Sequence, residues 1–220
     1  MNTFDWRVLL DSRDILLKGA ELAVLLTIEC SLAGIFVGLL LALFRLSSLK
    51  ILQIPATIVL EALRGTPVLV QLIWVFYALP IMTGIALTPL LSAFIALSLY
   101  SGAFYAEIFR GGIVSIEQGQ TDAARSLGMT YAEQMRRVIL PQAVRRMIPP
   151  LVNQTIVTLK NTSLASVVTV PELLYQAQYI SSATFRSLEA YTGVAAIYFI
   201  MIYPITVLAQ RLELHKGGRF

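Results

Sequence analysis

The chain has 220 residues, of which 57% are hydrophobic and only 14% charged, with a mean hydropathy of +0.74. Soluble domains carry about 25% charged and about 45–50% apolar residues, so a single ordinary core cannot hide this surface and a bilayer is the expected solvent. The net charge of +4 does not point to nucleic acid, because the basic residues lie between apolar runs and form no stripe with interleaved aromatics.

Residues 1–18 mix acids and bases, and no small-residue cleavage site precedes the first apolar run. This reads as a polar lead, not a cleaved signal peptide. A span needs about 20 mainly apolar residues to cross roughly 30 Å of hydrocarbon. On that rule five spans are expected, at about 20–46, 54–79, 86–108, 147–168 and 191–208. The single cysteine, Cys30, lies in the first of them and cannot form an internal disulfide. The fourth is the most polar, with Pro149, Pro150, Asn153, Gln154, Lys160 and Asn161. The stretch 171–189, mixed polar and aromatic, is expected as a loop on the outer face, partly helical along the interface.

Lysine and arginine placement sets orientation. Eleven of them (Arg45, Lys50, Arg110, Arg125, Arg136, Arg137, Arg145, Arg146, Arg211, Lys216 and Arg219) fall on one side of the five spans. Only Arg7, Arg13, Lys18 and Arg186 fall on the other. The N-terminus is therefore expected outside and the C-terminus in the cytoplasm. No repeat or Gly/Ser linker divides the chain, so residues 1–220 are expected to form one transmembrane domain.

The cytoplasmic loop at 109–146 is too patterned for a plain connector. Thr121, Asp122, Ala123 and Ala124 read as a helix start, with a hydroxyl cap and an acid in the first turn. Gly128 reads as its stop. A helix of about two turns is marginal alone and calls for a partner surface. Thr130 to Glu133 fits a capping box and opens a second helix, expected to be interrupted at Pro141.

At these residues the chain resembles the permease subunits of binding-protein-dependent ABC importers. Their loop motif runs Glu-Ala-Ala, Gly, Ile, Leu-Pro; here it reads Asp122-Ala123-Ala124, Gly128, Val138, Leu140-Pro141 with every spacing kept. Asp122 and Val138 are conservative departures. Further segments are similar to the polar amino acid permease family: Glu61 to Pro67 with Val70-Gln71-Leu72, Ala106 to Ile113 with Gln118-Gly119-Gln120, and Leu159 to Leu164. The resemblance implies a type I permease fold: all-α, membrane-spanning, with a short cytoplasmic coupling helix. It also implies that Thr121, Asp122, Ala123, Ala124, Gly128, Leu140 and Pro141 dock a separate ABC ATP-binding subunit carrying ATP and Mg. The other implied partners are an extracytoplasmic solute-binding protein, a second permease (identical or paralogous) and a polar amino acid as cargo, all at a bacterial inner membrane.

Charged groups inside a span cost about 2.5–3.5 kcal/mol on insertion scales and call for a partner or a pathway. Glu61 and Arg64 either pair with each other on one helix face or contact the transport path, with Gln71 nearby. Lys160, Asn161 and Ser163 suit a zwitterionic ligand, whose carboxylate a cation and neighbouring donors would hold. The alternative for Lys160 is a salt bridge to Glu29 or Glu107. In many relatives the position of Asn161 is Asp, so its amide turns the expectation away from a cationic cargo. No Gly-rich phosphate loop with Lys and Ser/Thr is present. His215 is the only histidine, so no catalytic set or metal cluster is expected and this chain binds no cofactor itself. A secondary transporter or channel working without an ATPase is the competing reading; such folds often carry inverted repeats, which these unlike spans do not suggest.

Overall fold

The computed structural model describes residues 4–217, of which the side chains beyond Arg211, including His215, lie outside the described residues. It is all-α, with no strand among those residues. A short α1 (Arg7–Asp11) leads into α2 (Arg13–Leu46), followed by α3 (Lys50–Gly65), α4 (Val68–Ile73) and α5 (Leu79–Thr83). After α6 (Pro89–Val114) come the short α7 (Gln118–Ser126) and α8 (Tyr131–Gln134), then α9 (Leu140–Asn161), α10 (Leu173–Thr184) and α11 (Ser187–Gly217). By length and composition α2, α6 and α11 can each cross a membrane, and α3 with the α4–α5 arm adds a fourth crossing if that bent pair is one span. The fourth expected span is helical too. Its prolines, amides and Lys160 leave it too polar to stand with the others, and it needs protein around it.

The expected second span is broken, not continuous. Between Lys50–Gly65 and Val68–Thr83 the chain turns by 105°. Pro67 disfavours helical geometry at the preceding residue, and Thr66 is extended (φ −111°, ψ 141°). Pro141, expected to interrupt its helix, does not. The π turn Met135–Ile139 sits between α8 and α9, and the N–H of Leu140 donates back to the carbonyl of Met135. The same device recurs at Trp74–Ala78, where the N–H of Leu79 donates to the carbonyl of Trp74 just ahead of Pro80. One extra residue in the turn makes room for a ring that would otherwise meet the carbonyl four residues back.

The helix pair α2 and α6 forms the spine, parallel and tightly packed. Small residues at four-residue spacing permit the approach: Gly34 and Gly38 on α2 face Ser101, Gly102 and Ala106 on α6. A Cβ on Gly38 would lie 2.6 Å from the Gly102 carbonyl oxygen. One core cluster joins Leu26 and Cys30 to Leu72, Val75, Ala96, Leu97 and Val168. A second ties Leu16 of α2 to Leu173, Ala177 and Ile180 of α10 and Val194 of α11. The expected outer loop is therefore a packed helix over most of its length. Between α9 and α10, Thr162–Val168 winds as a 3-10 helix. The fully buried Glu172 caps α10 there, accepting from the Tyr175 amide at 2.9 Å and from the Tyr198 hydroxyl at 2.9 Å.

Candidate functional site

The segment from α7 to α8 is compact and held at both stems. It was expected to start at Thr121, yet α7 begins three residues earlier, at Gln118, with extended Glu117 as N-cap and no side-chain cap bond. Thr121 and Asp122 lie inside it. The stop at Gly128 is as expected: at φ +76° its N–H donates to the Arg125 carbonyl (2.9 Å), and the Met129 N–H donates to the Ala124 carbonyl (3.2 Å). That crossed pair is the Schellman closure, and an L side chain at this φ is strained. The capping box is also formed: the Thr130 hydroxyl accepts from the Glu133 amide, and a Glu133 carboxylate oxygen accepts from the Thr130 amide at 3.0 Å. These bonds hold the Glu133 carboxyl below the usual carboxylate range. The buried Gln134 donates to the Met129 carbonyl at 2.7 Å, and Arg146 donates to the Ser115 carbonyl, tying α9 to the end of α6.

The exposed surface of this segment is mostly polar, yet it leaves two large apolar side chains in the open. Ala124 is buried against the loop, whereas Asp122, Ala123 and Gly128 are exposed. Leu127 is 80% exposed and Tyr131 73%. Neither was singled out from sequence; both lie one position beside the motif residues Gly128 and Thr130. Leu140 and Pro141 are exposed on the following helix. A large apolar side chain left in the open between spans marks a contact surface.

Inside the helical body, the expected Glu61–Arg64 pair is present at 3.8 Å but is the weaker part of a larger cluster. Glu107 of α6 is its centre. One carboxylate oxygen accepts from Arg45 of α2 and from Arg64 of α3 (3.1 Å), and the other accepts from Arg110 (3.0 Å). Arg45 also reaches Glu61 at 3.7 Å. Glu107 is thus occupied and does not bridge to Lys160. Nor does Glu29: Lys160 is exposed and makes no ion pair among the described residues. The Ser163 hydroxyl is spent on the Lys160 carbonyl at 2.7 Å. Asn161 is half-buried at the end of α9.

Two cavities border this cluster. One, of about 320 Å³, is lined by Ala62, Leu63, Thr66, Gln71, Trp74 and Val75 with Ala96 and Leu99 of α6. Gln71 clamps the broken helix, its amide nitrogen donating to the Leu63 carbonyl (2.7 Å), the Thr66 carbonyl (3.1 Å) and the Thr66 hydroxyl (2.8 Å). Its amide oxygen is buried and unpaired. The other cavity, about 540 Å³, opens between α6 and α9 and has Phe104, Met147, Pro150 and Gln154 in its wall. The Gln154 amide nitrogen is buried there without a partner. Buried polar atoms left unsatisfied are rare and ask for a ligand, water or strain. Gln154 was read from sequence only as span polarity; its lack of a partner is visible in three dimensions alone.

Residues 34–215 match the model of the family described as the inner membrane component of binding-protein-dependent transport systems. The chain belongs to that family. It is 36% identical over 211 residues to the glutamine transport system permease protein GlnP of Escherichia coli strain K12, covering 96% of each chain. The L-cystine transport system permease protein TcyB of Bacillus subtilis strain 168 is 40% identical over 200 residues, with 90% of this chain and 85% of that one aligned. For the octopine transport system permease protein OccM of Rhizobium radiobacter the figures are 37% over 206 residues, 90% and 84%. Among solved structures, an amino acid ABC transporter crystallised with histidines superposes at a TM-score of 0.93 with 36% identity, over 97% of this chain and 100% of that one. The MetNI methionine ABC transporter gives 0.75 at 20% identity, over 92% and 96%, and speaks for the fold alone. This inner-membrane component is thus a multi-pass helical permease of ABC-importer type.

Proposed function

We propose that the chain is the translocating subunit of an ATP-driven importer for a polar amino acid, and that the α7 segment docks the ATPase. The observation that carries this reading is the rigid α7 turn, closed at Gly128, with Ala123, Leu127 and Tyr131 uncovered beside it. The whole chain works as one transmembrane domain. A second permease completes the path, a solute-binding protein delivers the cargo from outside, and ATP with Mg is held by the partner ATPase. Relatives named for glutamine, cystine and octopine transport support the cargo class. The N-terminus lies outside and the C-terminus in the cytoplasm.

Closure of the ATPases on ATP pushes α7, which is joined through Ser115–Glu117 to α6 and through α8 to α9. Moving α9 and the packed α2–α6 pair against α3 opens one side of the path and shuts the other. Within the path, Gln71 and Gln154 offer neutral amides to a zwitterion, and Lys160, Asn161 and Ser163 stand at the turn that ends α9, where the Lys160 ammonium faces a carboxylate. Glu61 and Arg64 border the path at the helix break. Neutral amides without a free carboxylate beside them favour an uncharged polar side chain over a cationic one. The test is Gly128→Asp in the purified complex. It strains the turn and places an acid on the docking face, so ATP hydrolysis stimulated by the loaded binding protein should be lost. Intact stimulation would refute docking through this turn.

A further inference from the structure

We propose that Glu107 is a positioning residue, a hub through which movement of the docking helix α7 sets the shape of the broken-helix cavity. The proposal rests on the transport reading above and adds the residue that joins its two ends. Three guanidinium groups from three helices share one carboxylate that is mostly buried: Arg45 at the end of α2, Arg64 at the end of α3, and Arg110 on α6 itself. Any two of these cations repel each other at such range, and the Glu107 charge is what holds them together. Glu61 takes part only at 3.7 and 3.8 Å and is largely exposed. Glu107 therefore carries the junction.

The two arms of the hub end at different sites. On one arm, α6 continues from Glu107 through Val114 as unbroken helix, and α7 begins after only three intervening residues. A displacement of α7 reaches Glu107 along a stiff rod. On the other arm, Arg64 sits beside Gly65, where α3 ends and the chain turns by 105°. Ala62, Leu63 and Thr66 form the cavity wall within two residues of Arg64, and Gln71 clamps Leu63 and Thr66 in place. Pulling Arg64 moves that wall directly. The Arg64 guanidinium also lies 5.8 Å from the Phe104 ring, one turn before Glu107, so the two helices are keyed at a second point. Arg45 anchors the hub to α2, whose glycine contacts with α6 keep it fixed while α3 swings.

The test uses the full complex with its ATPase and binding protein in lipid nanodiscs, measuring ATP hydrolysis with and without binding protein saturated by a mixture of the standard amino acids. Glu107→Gln keeps the shape and removes the charge. Its ratio of stimulated to unstimulated hydrolysis should fall to near one, a loss within the coupling factors of about 5- to 150-fold seen between linked sites. Exchanging the charges, Glu107→Arg with Arg64→Glu, should raise the ratio above that of either single variant. A residue that merely supports the fold would lower assembly and melting temperature and leave the ratio alone. The proposal is overturned if Glu107→Gln keeps the full ratio, or if the exchanged pair assembles normally and does no better than its single variants. Should Glu107→Gln fail to assemble, Arg64→Gln, which leaves Glu107 two partners, carries the same expectation and the same refutation. An unaltered complex that shows no stimulation refutes the transport reading itself, and the proposal with it.

Discussion

The Thr130–Glu133 capping box shows how much a local pair controls in the segment proposed to dock the ATPase. Each residue satisfies a backbone N–H that the start of α8 would otherwise leave bare. Replacing the hydroxyl in Thr130→Ala should cost about 1 kcal/mol of local helix stability, read as faster amide exchange over residues 131–134. The effect depends on pH with a definite sign. The Glu133 carboxyl is lowered by its bonds to Thr130, so its stabilisation is complete above the ordinary carboxylate pKa and disappears as pH falls through the lowered value. Wild type and Glu133→Ala should therefore differ most above the ordinary carboxylate range and draw together as acid protonates the carboxyl, whereas most of the cost of Thr130→Ala, which removes the hydroxyl that accepts from the Glu133 amide, should persist in acid; a Glu133→Ala difference that does not shrink in acid would show that the carboxylate is not part of the cap. This box was legible in the sequence because its two members are three residues apart. The Glu107 hub was not: its partners Arg64 and Arg45 are 43 and 62 residues away, and no local pattern links them. Sequence showed the charges at these positions and offered the nearest pairing, Glu61 with Arg64, and a Lys160 bridge to Glu29 or Glu107 that does not form.

At the level of helices, the α2–α6 contact makes a prediction whose sign runs against propensity. Alanine in a helix is ordinarily better than glycine by about 0.5–1 kcal/mol, because the glycine chain loses more freedom on folding. Gly38→Ala should nevertheless destabilise, since the new Cβ would sit 2.6 Å from the Gly102 carbonyl oxygen, 2.8 Å from the Tyr105 Cβ and 2.9 Å from the Ala106 amide nitrogen. Overpacking of that kind costs about 1–3 kcal/mol. Gly111→Ala, on the same α6 with nothing within 4 Å of the added carbon, should be neutral or stabilising. Thermal unfolding of both variants in one detergent decides it, and equal melting points would refute the close approach. The helical spans were open to a reader of the sequence, whereas the Gly34–Gly38 spacing gains its meaning only once α6 is seen against it. The break at Thr66 was masked because apolar residues stand on both sides of Arg64-Gly65-Thr66-Pro67 and together make up the length of one span, although Pro67 stood in plain view. The continuity at Pro141 was hidden for the opposite reason: a proline signals a stop, and the π turn that absorbs it leaves no mark on periodicity.

For the molecule as a whole, the apolar composition and the ordered family segments were enough to reach an all-α permease, and the helix packing confirms that class without fixing which end faces the cytoplasm. The proposed orientation rests on charge and length together. The helix α2 has 34 residues, about 51 Å at 1.5 Å per residue, and so exceeds a hydrocarbon core of roughly 30 Å. If the hub at Arg45 and Glu107 lies at the cytoplasmic boundary with the arginine-rich α7–α9 region beyond it, the first turns of α2 must emerge on the far side. Asp14, with a side chain 80% exposed, would then stand in the external medium. The single native thiol helps the measurement, because Cys30 is fully buried and should resist a polar reagent. In intact cells a membrane-impermeant maleimide should label Asp14→Cys and spare Ser126→Cys on α7, and permeabilising the membrane should expose the second. The reverse pattern would invert the molecule. It would also put the exposed Leu127 and Tyr131 outside the cell, beyond the reach of any ATPase, so this one experiment bears on the docking reading as directly as on the topology.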